Sequence, residues 1–204
     1  RVESEAKRYF PQARIQRLDS YSVSTKGSME EILDRFGRGE IDILVGTQMV
    51  AKGLDFPNVT LVGILAADSL LRLPDFRASE RNFSLLAQVS GRAGRGDCPG
   101  EVVLQTYYPE HHSIQFALTE DYHGFYAKEA QLRRETNFPP YMELASFIIA
   151  SCDKQKAGDT AKALHQLFIA HPAVETGCVL GPAPAAIEKI NDRYRFQLLL
   201  KMTD

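Results

Sequence analysis

The stretch Gly46-Thr47-Gln48-Met49-Val50-Ala51-Lys52-Gly53-Leu54-Asp55-Phe56-Pro57 follows directly on the apolar, β-branched run Ile41–Val45. A short apolar run of that kind reads as a buried strand. Small residues at the carboxyl end of a buried parallel strand let a ligand approach the backbone closely. Thr47 offers a hydroxyl and an N–H to a phosphate, Lys52 a cation, and Asp55 an acceptor for a sugar hydroxyl. Taken locally, the stretch reads either as such a ligand loop or as an ordinary strand-to-helix turn capped at Gly53.

Working outward, helical and strand patterns alternate. Val2, Ala6 and Phe10 have helical spacing, and Pro11 stops that helix. Ala13–Leu18 alternates like a strand, and Asp19–Gly27 is turn-rich. Ser28-Met29-Glu30-Glu31 resembles a capping box opening a helix to about Phe36, closed by Gly37-Arg38-Gly39. Met49–Gly53 reads as a short helix or turn, Val59–Leu65 and Glu101–Gln105 as buried strands, Leu73–Asp75 as a loop and Ala78–Ser90 as a helix. This alternation predicts an α/β unit with a parallel sheet covered on both faces.

After Pro109 the pattern changes. One amphipathic helix is expected over His111–Thr136, with Ile114, Ala117, Leu118, Tyr122, Phe125 and Tyr126 on one side as core or interdomain packing. Pro139-Pro140 ends it. Then follow a strand at Leu144–Ala150, a helix at Lys154–Ala170, a strand at Val174–Leu180, a turn at Gly181–Pro184 and a last strand at Tyr194–Leu200. That order predicts a small α+β domain, antiparallel-rich with a helix on one side. The expected divisions are residues 1–109, a helical connector at 110–138, and a tail domain at 139–204.

The bulk properties fit a globular chain: 204 residues, 44% hydrophobic and 25% charged. The net charge of −2 gives no global basic field, so any nucleic-acid contact rests on a local patch. Cys98, Cys152 and Cys178 are far apart with no C-x-x-C pair, which gives zinc no support and reads as reduced thiols. No apolar stretch is long enough to span a bilayer, and no signal peptide is seen. The first residues read as a helix already under way without a start methionine, so the chain is expected to be a piece of a longer one.

A second chemical segment is Gln88-Val89-Ser90-Gly91-Arg92-Ala93-Gly94-Arg95-Gly96. Arg92 and Arg95, three apart, share one side of a helical turn, and the glycines leave them room to reach across a cleft. Guanidinium is planar, permanently charged and matched to phosphate oxygens. Alone, the segment reads equally as a solvated basic turn.

Together, G-T-Q-M-x-A-K-G-x-D-F-P followed by Q-V-x-G-R-A-G-R resembles motifs V and VI of superfamily 2 helicases. The intervening Pro74-Asp75-Phe76-Arg77-Ala78-Ser79-Glu80-Arg81 narrows the likeness to the PriA-type primosomal replication-restart helicases. Leu180–Pro184 and Arg193-Tyr194-Arg195-Phe196-Gln197 resemble the end of the same family, so the resemblance spans the chain.

The resemblance implies a RecA-like second helicase lobe followed by a DNA-binding α+β domain. It implies ATP and Mg2+ between this lobe and a first lobe, whose P-loop and acidic motif are not in the chain. It implies Zn2+ only in a cysteine-rich module upstream of Arg1. It places Arg92 and Arg95 on the nucleotide phosphates, with Arg95 as the finger and Gln88 beside them. Gly53 and Asp55 would border the nucleotide, and Thr47 and Lys52 would touch the DNA backbone. The implied partners are branched and single-stranded DNA, single-strand-binding protein and helicase-loading proteins of the primosome, in the bacterial cytoplasm near the nucleoid, with no membrane role. The isolated chain is expected to be inactive.

In the tail, Arg193 and Arg195 share one strand face and Tyr194 and Phe196 the other. The arginine face reads either as a phosphate contact, which Lys189 and Lys201 extend, or as a solvated basic face. His111-His112 diverge on a helix and suit no shared metal, and Arg133-Arg134 read as serving the helix dipole or solvation rather than DNA. Asp68 shapes a cleft or caps a turn. Alternative readings are a free-standing nucleic-acid-binding or interaction module, or another superfamily 2 translocase such as a RecG-like or DEAD-box enzyme.

Overall fold

The computed structural model describes residues 1–18, 28–47, 58–91, 100–172, 174 and 177–202. The turn at Asp19–Gly27 and the short helix or turn at Met49–Gly53 lie outside them. The chain divides into two compact units, Arg1–Leu70 with Glu80–Tyr122, and Leu71–Ser79 with His123–Asp204. The connector expected at 110–138 is therefore divided between them, and Leu71–Ser79 joins the tail.

In the first unit, α1 (Val2–Tyr9) precedes β1 (Ile15–Leu18), α2 (Ser28–Gly37), β2 (Ile43–Gly46), β3 (Leu61–Ile64), α3 (Ala78–Ser90), β4 (Glu101–Leu104) and α4 (His112–Leu118). β1 and β2 pair in parallel with Ile15 opposite Ile43, and β3 and β4 do so with Leu61 opposite Glu101. Each pair is joined by a helix-containing crossover, as parallel strands require. Leu18, Ile41, Ala67, Phe83, Leu86, Ile114 and Ala117 are buried. The α2 terminus closes as expected on Gly39. Its φ is +72°, and the Glu40 N–H reaches Arg35 O at 2.9 Å and the Gly39 N–H reaches Phe36 O at 3.0 Å.

One expectation is corrected here. β3 and β4 are not covered on both faces: Leu61 is 60% exposed and Val103 52%, while Val62 and Ile64 face inward. α1 forms where the spacing predicts it, without a fully buried residue and with exposed Lys7–Glu3 and Arg8–Glu5 pairs along it.

The helix expected over His111–Thr136 is two helices, α4 and α5 (Tyr122–Glu135). Glu120 breaks it in a left-handed conformation, φ +53°, with the Asp121 N–H on Phe116 O at 2.9 Å. The break resets the helical phase. Ile114, Ala117 and Phe125 are buried, but Leu118, Tyr122 and Tyr126 are exposed, so the single apolar side does not exist.

The tail unit holds α5, β5 (Glu143–Ser151), α6 (Lys154–Ala170), β6 (Val179–Ile190) and β7 (Arg193–Met202). The sheet is antiparallel in the order β5-β7-β6, with β7 central. α6 starts at Asp153, whose carboxylate accepts from the N–H groups of Gln155 at 2.8 Å and Lys156 at 3.2 Å. Its small residues Ala157, Gly158 and Ala161 are buried, and a Cβ on Gly158 would lie 3.3 Å from the Phe196 ring. Phe147, Leu198 and Phe196 thus form the side of the sheet that faces α6.

Gly181–Pro184 does not reverse the chain. It sits inside β6, where the register with β7 shifts between Leu180 and Ala183. β6 is an edge strand, where a proline without an N–H leaves no ladder bond broken. The reversal lies at Asn191-Asp192, both left-handed at φ +48° and +59°, the geometry of a two-residue hairpin.

Candidate nucleotide and nucleic-acid site

β2 ends at Gly46 and presents Thr47, which is exposed at the carboxyl edge of a parallel strand. Ligands of open parallel sheets collect at that edge. Lys52, Gly53 and Asp55 lie outside the described residues.

α3 buries Asn82, Phe83 and Leu86 and leaves Gln88 exposed near its far end. Asn82 Nδ2 donates to Ser113 Oγ at 3.1 Å, tying α3 to α4. The Gly91 N–H still bonds Ala87 O at 3.1 Å, so helical bonding continues one residue beyond Ser90. Arg92 and Arg95 follow in sequence and lie outside the described residues. Of the residues read as nucleotide or motor contacts, the structure therefore describes Thr47 and Gln88, both in the first unit and both exposed.

Asp68 proves to be an anchor. It is fully buried and accepts from Thr106 Oγ1 at 3.3 Å and the Tyr107 N–H at 3.2 Å. With Ala66 N–H on Gln105 Oε1 at 2.9 Å, it joins the chain after β3 to the chain after β4. Its buried carboxylate is a buttress of the strand ends rather than a surface turn cap.

On β7, alternation puts Arg193 and Arg195 on the sheet face away from α6, while Phe196 packs beneath α6. Their neighbours in register are Ile190 and Ala150, which offer no charge. Among the described residues neither arginine forms an ion pair. The lysines expected to extend this patch are engaged elsewhere. Lys189 pairs with Asp192 at 2.9 Å and lies over Tyr194, and Lys201 donates to Thr136 O at 2.7 Å and lies over Phe138. The arginine patch is therefore shorter than the sequence suggests.

Two further features were not legible in sequence. Arg133 lies in the last turn of α5, as the dipole reading expects, but is not solvated: it pairs with Glu129 at 3.0 Å, the side chains 15% and 11% exposed, and lies over the Phe76 ring. His111 caps α4, its Nδ1 accepting the Ser113 N–H at 3.2 Å, and stacks on His112. Among the described residues no group of three or more His, Cys, Asp or Glu is placed to hold a metal, and no helix is long and apolar enough to cross a membrane.

Comparison with known proteins falls in two blocks. The family described as Helicase conserved C-terminal domain matches residues 2–97, and the family described as Primosomal protein N C-terminal domain matches residues 134–204. The Replication restart protein PriA of Bacillus subtilis is 49% identical over 201 residues, covering 98% of this chain and 25% of that protein. Its namesake from Synechocystis is 47% identical over 192 residues, 94% of this chain and 23% of the relative. The Treponema pallidum protein is 41% identical over 200 residues, 98% and 30%. The chain thus spans about a quarter of the length of the curated relatives it matches. With parallel strand pairs in a helicase lobe and an α+β tail following it, this chain belongs to the PriA family of replication restart proteins.

Proposed function

We propose that the chain is the second motor lobe and DNA-binding tail of an ATP-dependent superfamily 2 DNA helicase that unwinds and remodels stalled replication forks so that replication restarts. The observation that carries this reading is the ordered match of a helicase domain and a primosomal domain along one chain. It is supported by α3, which exposes Gln88 and stays hydrogen-bonded through Gly91 just before Arg92 and Arg95.

In this reading Arg92 and Arg95 bind the nucleotide phosphates from the side opposite a P-loop lobe, with Gln88, Gly53 and Asp55 bordering them. ATP, with Mg2+ held by residues of that facing lobe, supplies the phosphoryl bond whose cleavage drives the cycle. Thr47 and Lys52 grip the DNA backbone, which positions the strand without reading its bases. Opening and closing of the lobes moves that grip along one strand. Arg193 and Arg195 hold branched or single-stranded DNA on the tail. The proposed partners are single-strand-binding protein and primosomal helicase-loading proteins, and the proposed setting is the bacterial cytoplasm at the nucleoid. Zn2+ belongs to a module outside this chain. The chain alone is expected to turn over no ATP.

The test is Arg95→Ala in the full-length protein, with ATP hydrolysis followed with and without single-stranded DNA. An arginine finger is worth on the order of 10³–10⁵ in rate, so DNA-stimulated turnover should fall to near background. Turnover at the unaltered rate would overturn the assignment.

A further inference from the structure

Tyr107 and Tyr108 follow β4 on the carboxyl side of the parallel pair β3–β4, and they are 71% and 56% exposed. Leu65, the first residue after β3, is 61% exposed. Large rings of this kind usually bury most of their surface.

The backbone that carries the rings is fixed from both sides. Ahead of them, the fully buried Asp68 accepts from the Tyr107 N–H at 3.2 Å and from Thr106 Oγ1 at 3.3 Å, and Thr106 Oγ1 accepts the Tyr108 N–H at 3.0 Å. Behind them, Tyr108 O accepts the His111 N–H at 3.1 Å, and Pro109 O accepts from Gln115 Nε2 at 2.7 Å. From the side, the Gln105 N–H bonds Ile64 O at 2.9 Å and Gln105 O accepts the Ala67 N–H at 3.0 Å. Burying a carboxylate costs desolvation. The bonds of Asp68 hold the backbone from Thr106 to Tyr108, so the two rings stand on a rigid support. A surface already fixed in place loses little further freedom when it binds.

Three considerations select the occupant. Ligands of open parallel sheets collect at the carboxyl ends of the strands. Consecutive rings on a fixed backbone suit flat partners that arrive in series, and every base of an unpaired strand offers such a face whatever its identity. The patch is also small: a protein partner ordinarily meets roughly 20–30 residues a side.

We propose that Tyr107 and Tyr108 form a stacking platform for unpaired bases of single-stranded DNA. This rests on the motor reading above, in which the lobe grips such a strand.

The test uses the full-length protein and oligothymidine in which single thymines are replaced by photoreactive iodouracil. Irradiation should crosslink the strand to Tyr107 or Tyr108. Replacing both tyrosines with alanine should weaken oligothymidine binding at least about fivefold, the loss expected when base stacking is removed. Tyr107→Phe with Tyr108→Phe keeps the rings and should bind within about twofold of the unaltered protein. On an abasic strand of equal length, the alanine variant and the unaltered protein should bind within about twofold of each other. The slope of log affinity against log salt should not change, because no phosphate contact is removed. Should the alanine variant fail to fold, leucine at both positions keeps apolar bulk, removes the rings and should give the same loss.

The proposal is overturned if no crosslink maps to the two tyrosines, if the alanine and phenylalanine variants bind alike, or if the loss is equally large on the abasic strand. It is also overturned if tetranitromethane leaves both rings unmodified in the DNA-free protein, the mark of a face covered by another part of the chain. Stacking that behaves as expected in a protein without DNA-stimulated ATP hydrolysis would remove the motor reading and leave the platform standing. A full-length protein that binds no single strand would remove both.

Discussion

Arg14 grips Asp42 with both ends of its guanidinium, Nε to Oδ2 at 2.9 Å and Nη2 to Oδ1 at 2.6 Å, while the Arg14 N–H adds a bond to Oδ2 at 2.7 Å. These bonds hold the Asp42 carboxyl down at about 2. A depressed carboxyl stabilises the fold above its unfolded pKa, near 4, and that contribution is lost as pH falls towards 2. A titration of Asp42 by carboxyl NMR should give a midpoint near 2, and Arg14→Gln should return it towards about 4. A midpoint unmoved by the substitution would mean the pair does not set it. At this scale the sequence was uneven. Thr47 and Gln88 were singled out by local motif chemistry, and the structure shows that both are exposed. The stack of Phe76 on Phe138 and the Arg133 guanidinium over Phe76 carried no such signal, because these partners lie about sixty residues from Phe76 in sequence. Cation–π contacts of this kind stabilise by ~0.5–2 kcal/mol each, and no residue spacing advertises them.

Element boundaries were legible wherever the residue at the break was chemically unusual. Gly39 announced the end of α2, and Asn137 suits the left-handed end of α5. Glu120 suits no such position, since a residue with a Cβ pays about 1–2 kcal/mol there, so the break between α4 and α5 carried no signal. The prolines of β6 misled in the opposite direction. Pro182 and Pro184 look like a turn but occupy an edge strand, a context set by sheet order. The two left-handed glycines give a graded prediction. A Cβ at Gly39 meets nothing within 4 Å, so Gly39→Ala should cost about 1 kcal/mol of stability from the backbone alone. A Cβ at Gly181 would lie 2.7 Å from Gln197 O on the central strand, so Gly181→Ala should cost more, roughly 2–4 kcal/mol. Thermal or urea unfolding of the two variants side by side measures the gap, and equal losses would show that β6 shifts freely on β7.

For the whole molecule, a net charge of −2 gives no global basic field, so any contact with DNA rests on a local patch. Arg193 and Arg195 project from one face of β7 beside uncharged neighbours, whereas Lys154 and Lys189 are matched to Glu188 and Asp192 at 2.6 Å and 2.9 Å. If both arginines touch phosphate, replacing them with glutamine in the full-length protein should weaken single-stranded DNA binding. It should also reduce the slope of log affinity against log salt by about 1.4, at about 0.7 per contact. An unchanged slope would assign the pair to solvent.

The tail is also a discontinuous body. Leu71–Ser79 is lent to it from inside the lobe, so the chain passes from one body to the other three times. A tail exchanged by recombination at a single joint after Tyr122 arrives without Phe76, and the lobe left behind keeps a loop whose ring has lost its mate.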